Sequence, residues 1–159
     1  TRYRPDGYRL LDQVNLTLWT GSAGDQFASA FFGLVDPAQG RIRFSTAGDP
    51  AVVLLRPDGW ESLSTATPPL GEGPETTYRQ HECRLQPGEA LLVFTDGIRD
   101  ALDTQGRPLG EAGLAEPLAA KLQLPAAKLV ALARDRLEAH ALAPHRYDRT
   151  VLVIKPAAP

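Results

Sequence analysis

The chain has 159 residues, enough for one domain and short for two, and 17 Lys and Arg against 19 Asp and Glu leave a formal net charge of −2. There is no basic run or stripe, so nucleic-acid binding is not expected; no stretch nears the roughly 20 apolar residues that cross a bilayer, so neither is a membrane span or a signal peptide. Cys83 is the only cysteine, which excludes an internal disulfide and suits a reducing cytoplasm.

Leu11, Val14 and Leu18 recur at spacings of three and four, which predicts an amphipathic helix from Tyr8 to Trp19. Gly21 to Asp25 breaks it. FASAFFGLV (27–35) and RIRFS (41–45) read as strands joined across Asp36–Gly40, a hairpin. After Gly48-Asp49-Pro50, AVVLL (51–55) is a third strand, and Trp60 to Leu63 continues the meander beyond Pro57-Asp58-Gly59. A Thr-, Pro- and Gly-rich loop from Ser64 to Pro74 contains Pro68-Pro69-Leu70-Gly71.

TYRQHECRL (77–85) alternates with the period of an exposed strand, in which Cys83 has a structural place; one thiol beside His81 and Glu82 is not a metal pattern. Leu91-Leu92-Val93-Phe94 reads as a strand buried on both faces. Leu109–Leu122 and Pro125–Leu142, rich in Ala and Leu, read as helices, with Pro125 in a first turn. TVLVI (150–154) closes the chain as another buried strand. Strands followed by helices and a returning strand describe an α+β domain spanning residues 1–159, with no repeat and no linker to divide it. Methionine is absent even at position 1, so the segment is expected to begin inside a longer product.

The strand at 91–94 ends in Thr95-Asp96-Gly97. Asp96 can N-cap a short helix, or it can be a hard oxygen ligand to Mg²⁺ or Mn²⁺ at a strand end. Asp148 stands in the mirror position, just ahead of the last strand. If those two strands are antiparallel neighbours, both carboxylates emerge at one sheet edge, where they repel and a divalent cation relieves the repulsion. Asp49 ends another strand and reads either as a turn residue or as a further acid. His81, His140 and His145 show no triad or zinc spacing and read as surface residues. No phosphate loop, nucleophile elbow or Cys-His arrangement is present.

Taken together, FASAFFGLVDPAQGRIRFSTAGDPAVVLLRPDG (27–59), PPLG (68–71), LQPGEALLVFTDGIRDA (85–101) and YDRTVLVI (147–154) resemble the sigma-factor-regulating branch of the metal-dependent (PPM, or type 2C) protein serine/threonine phosphatases, the group of the stage II sporulation phosphatase. The resemblance covers essentially the whole chain. It implies an αββα sandwich of two antiparallel sheets flanked by helices, with a two-metal site of Mn²⁺ or Mg²⁺ at one end. There the cations activate water against phosphoserine or phosphothreonine on a regulatory protein of the anti-sigma antagonist type. A cytoplasmic protein with an upstream sensor domain fits the same branch.

By the resemblance, Asp96 is a metal ligand; the family's other ligand position in this motif falls on Tyr147, which leaves the neighbouring Asp148 as the expected second ligand, with Gly97, Asp49 and Tyr147 lining the site. Three features depart from the family. Its N-terminal ligands lie upstream of this segment, so the segment alone is expected to be inactive, or to be a remnant completed by another chain. The family's Asp-Asp-x-Thr reads Tyr147-Asp148-Arg149-Thr150, and its Ala-Gly-His reads Ala47-Gly48-Asp49. A phenol, with an ordinary pKa of about 10, replaces a carboxylate poorly beside a divalent cation. Either Asp148 or Asp49 compensates, or the parent is a catalytically impaired module that binds a phosphoprotein.

Overall fold

The structure is a computed structural model that describes residues 7–140 and 147–156. Its elements are α1 (Gly7–Gly21), β1 (Ala30–Asp36), β2 (Arg41–Ala47), β3 (Ala51–Arg56), β4 (Gly59–Ser62), β5 (His81–Arg84), β6 (Ala90–Phe94), α2 (Asp96–Arg99), α3 (Ala112–Ala119), α4 (Ala126–His140) and β7 (Val151–Ile154). They fall into two compact units, Thr1–Pro50 with Thr65–Arg84, and Ala51–Ser64 with Leu85–Pro159. Each holds one antiparallel sheet and its own helices, in the expected α+β class.

In the first unit the sheet order is β1-β2-β5. The β1–β2 hairpin pairs Phe31 with Thr46 and Asp36 with Arg41. Leu11 of α1 is buried with Ala47, Leu70 and Tyr78, as its helical spacing requires. The 65–80 connection is held by polar groups. Asn15, fully buried on α1, donates to the Gly73 carbonyl and accepts the Gly71 N–H, both at 2.8 Å. Tyr78 donates to the Pro69 carbonyl (3.1 Å), and burial pushes its hydroxyl up to about 12, so it stays a donor.

The strand expected over 77–85 is limited to β5, because the Tyr78 N–H is taken by the Asp12 carboxylate (3.0 Å) rather than by a neighbouring strand. The expected meander also breaks. β2 and β3 belong to different sheets, and the chain passes between them at Gly48-Asp49-Pro50. Gly48, at φ +75°, uses its N–H on the Pro68 carbonyl (2.9 Å) and its carbonyl on the Thr67 N–H (3.1 Å).

The second sheet has the order β4-β3-β6-β7. β3 and β6 lie at its centre, and β6 is buried along its whole length, as an uninterrupted apolar strand must be. Their side chains pack with Ile98, Leu114, Leu118, Leu129 and Ala133 from the helices. β7, expected to be buried, is a half-buried edge strand with Leu152 exposed.

The expected helix 109–122 is shorter, Ala112–Ala119. Pro117 inside it cannot bond the Gly113 carbonyl, which accepts Arg136 Nε of α4 instead (3.3 Å). Pro125 precedes α4 rather than opening it, and its carbonyl accepts the Lys128 and Leu129 N–H groups. Residues 141 and 142 of the expected second helix lie outside the described residues. Among the described residues, no helix is long and apolar enough to cross a membrane.

Candidate metal site

β6 and β7 are antiparallel neighbours with Phe94 opposite Val151, which brings Thr95 beside Thr150 one step further on. The strand ends that carry Asp96 and Asp148 therefore share one edge of the sheet. The edge is held closed by an unusual exchange of bonds. Thr95 donates its N–H to the Thr150 carbonyl (3.2 Å), but its own carbonyl accepts Ile98 N–H (3.0 Å) and Arg99 N–H (3.2 Å), the first turn of α2. The Thr150 N–H donates instead to Thr95 Oγ1 (3.1 Å), and that hydroxyl donates to the Asp148 carbonyl (2.9 Å).

Thr95, not Asp96, occupies the N-cap position of α2, and it makes no side-chain cap bond. The N-cap position open to Asp96 on sequence is thus held by its neighbour. Asp96 is the first helical residue, exposed, with Oδ1 accepting the Gly97 N–H at 2.7 Å. Gly97 is buried, and a side chain there has no room. A Cβ would fall against the Asp148 carbonyl oxygen and 2.9 Å from Tyr147 Cβ. Arg149 Nε reaches the Gly97 carbonyl (3.3 Å), and burial lowers the guanidinium pKa from its ordinary value.

Asp148 and Tyr147 are exposed, Tyr147 at 74%. Four of the five residues named from sequence, Asp96, Gly97, Tyr147 and Asp148, are thus gathered in the second unit; the half-buried Asp49 belongs to the first. Sequence reading passed over Thr95 and Arg149. The only signal for Thr95 was its position between a buried strand and a helix start. Two exposed carboxylates at one edge suit a hard cation, and one Asp96 oxygen is already engaged. Among the described residues no group of three or more His, Cys, Asp or Glu could hold a metal, so a cation here would complete its shell with water and ligands beyond these. The histidines take other roles. His81 stacks on Phe44 (5.4 Å between centroids), and His140 Nε2 lies 3.1 Å from the Ala101 and Arg107 carbonyls. His145 lies outside the described residues.

A sequence model of the family described as Stage II sporulation protein E (SpoIIE) matches residues 2–156. The chain belongs to the SpoIIE family. It is similar to the SiaA-PP2C domain of Pseudomonas aeruginosa, with a TM-score of 0.77 and 23% identity over 94% of this chain and 61% of that one. It also matches the phosphatase domain of SpoIIE from Bacillus subtilis, with a TM-score of 0.67 and 12% identity over 99% of this chain and 77% of that one. At these identities the structural likeness carries the fold. In sequence, Protein IcfG of Synechocystis sp. is 33% identical over 95 residues, 59% of this chain. The chain spans 15% of that relative's length. The SpoIIE-family chain therefore shares the PP2C-like fold of those phosphatase domains.

Proposed function

We propose that the protein is a Mn²⁺- or Mg²⁺-dependent serine/threonine phosphatase of the sigma-factor-regulating type, acting in the cytoplasm on a phosphorylated regulatory protein such as an anti-sigma antagonist. The observation that supports this reading is the antiparallel pairing of β6 with β7, which puts the strand ends next to Asp96 and Asp148 at one edge, in a SpoIIE-family chain. A manganese-presoaked structure of the Bacillus subtilis SpoIIE phosphatase domain supports the choice of ion. Bound cations would neutralise phosphate charge and activate water. This chain's contribution is to hold them: Asp96 and Asp148 are the ligands, Gly97 admits the close approach of the two strand ends, and Tyr147 lines the rim. A complete shell needs more than these two carboxylates, because among the described residues no group of three or more His, Cys, Asp or Glu could hold a metal, so turnover by the 159-residue chain alone is expected not to be robust.

In the full-length protein, Mn²⁺-dependent hydrolysis of p-nitrophenyl phosphate that disappears in Asp96→Asn is the expected result. Turnover that survives this substitution would sink the reading.

Tyr147 favours a second reading, a catalytically impaired module that binds its phosphorylated partner without hydrolysing it. The phenol stands where the family has a carboxylate and is largely exposed. Tyr147→Asp separates the two readings. A large gain in Mn²⁺-dependent turnover from a near-zero start supports the impaired module; an active wild type that gains little supports the phosphatase.

A further inference from the structure

We propose that Thr95 is a positioning residue for the candidate metal edge: its hydroxyl replaces the ladder acceptor that α2 consumes, and so fixes the backbone of Asp148 beside Asp96. The inference rests on the phosphatase reading for its cation. The geometry itself does not.

An antiparallel hydrogen-bonded pair ordinarily exchanges two N–H···O=C bonds. At Thr95 and Thr150 only one is made between backbones, because the Thr95 carbonyl already serves Ile98 and Arg99 at the start of α2. Thr150 is exposed, so its N–H would otherwise turn to water, and a strand that becomes a helix directly would lose a ladder bond to its partner strand at this point. Thr95 Oγ1 fills the gap and reaches one bond further, to the Asp148 carbonyl.

Two observations set this apart from an ordinary cap. Thr95 has the extended backbone of an N-cap (φ −77°, ψ 159°), where Thr normally bonds the second or third helical N–H, yet its side chain turns away from the helix. Gly97 then meets the same Asp148 carbonyl, with no space for a Cβ. The carbonyl is thus gripped by a hydroxyl on one side and by a bare Cα on the other. Asp148 hangs from this clamped backbone, and its side chain starts from a fixed point relative to Asp96. Outer groups that orient ligands in this way typically govern about 10- to 100-fold in metal affinity.

The test uses the full-length protein, with Mn²⁺ alone as the probe. Mn²⁺ affinity is measured by electron paramagnetic resonance of the free ion, and backbone amide exchange is followed around Thr150. Thr95→Val should weaken Mn²⁺ binding about tenfold or more and speed exchange at Thr150. Thr95→Ser should restore both, which a role in packing alone would not allow, because serine lacks the methyl and keeps the hydroxyl. Thr95→Ala, which places nothing against the Thr150 amide, replaces the valine variant if that variant does not fold.

Unchanged Mn²⁺ affinity in Thr95→Val or Thr95→Ala, with affinity lost in Asp96→Asn, would overturn the positioning role and leave the metal reading standing. A wild-type protein that binds no Mn²⁺ would overturn both. Failure of serine to rescue would show that the hydroxyl does not suffice to hold the edge and end the proposal.

Discussion

Replacing Gly97 with alanine tests the contact that draws the two strand ends together. An alanine in an open helix is worth up to about 1 kcal/mol over glycine. Gly97 lies inside α2, so local propensity alone predicts stabilisation. The structure predicts the reverse. The added methyl would press on the Asp148 carbonyl and lie 2.9 Å from Tyr147 Cβ, and the first of these is backbone that cannot swing aside. Restoring ordinary contact at about 3.5 Å moves the 147–148 backbone by on the order of 1 Å. That shift carries the Thr95 Oγ1 to Asp148 bond beyond its present 2.9 Å, and Arg149 Nε to the Gly97 carbonyl beyond 3.3 Å, out of hydrogen-bonding range.

The chain either keeps the strain, at about 1–3 kcal/mol, or relieves it by losing two bonds at about 1 kcal/mol each. With the bonds lost, subtracting a propensity gain of up to about 1 kcal/mol from about 2 kcal/mol leaves a net loss of about 1–2 kcal/mol. For a protein of this size the melting temperature should fall by roughly 2–8 °C. Urea unfolding in metal-free buffer, followed by circular dichroism, isolates this from any cation linkage. Gly21→Ala is the control. A Cβ there meets nothing within 4 Å, so the substitution should be neutral or slightly stabilising. A Gly97→Ala protein as stable as wild type would refute the close approach of Tyr147 and Asp148.

Two further outcomes follow from the polar groups. Asn15→Ala strands the Gly73 carbonyl and the Gly71 N–H in a buried setting and should cost about 2–4 kcal/mol in urea unfolding; a loss below about 1 kcal/mol would show that water replaces both bonds. The Asp103 carboxylate is held down to about 2, first by the Arg107 N–H and then by the Gln105 N–H and the Arg107 guanidinium, against an ordinary value of 3.8. A depressed folded value means that its contribution is complete above about pH 4 and is lost as pH falls towards 2. Carbon-detected NMR titration of the Asp103 carboxyl should give the low value, and a midpoint at 3.8 would contradict the hydrogen-bonded loop.

Periodicity made much of the fold legible. The spacing of Leu11, Val14 and Leu18 marks α1, and the unbroken Leu91–Phe94 marks a strand buried on both faces. What it could not show was which strands share a sheet. β2 and β3 are both apolar and only three residues apart, so pattern joined them, whereas Gly48 and its bonds to Thr67 and Pro68 take the chain out of the first sheet. Alternation over 77–80 misled for a related reason. The Tyr78 N–H is spent on Asp12, and an N–H bonded to a side chain makes no ladder. β7 read as buried because Val-Leu-Val-Ile is apolar throughout, but an edge strand exposes part of such a run.

The candidate site was legible in its acids and not in its backbone. Asp96 and Asp148 could be paired from the order of strands, since adjacency of the two strands was enough to bring their ends together. Thr95 could not be found that way, because its role depends on a shortage that exists only once strand and helix are both formed. A strand that becomes a helix within one residue must give the same carbonyl to two partners, and the helix takes it. A hydroxyl at that residue supplies the missing acceptor, a carboxylate at the next residue projects outward, and a glycine after it lets the partner strand come close. Thr-Asp-Gly at a strand end thus reads as a geometric unit in which each residue answers a need set by its neighbour. On this reasoning serine can replace Thr95 but no apolar isostere can, and nothing larger than glycine fits at 97.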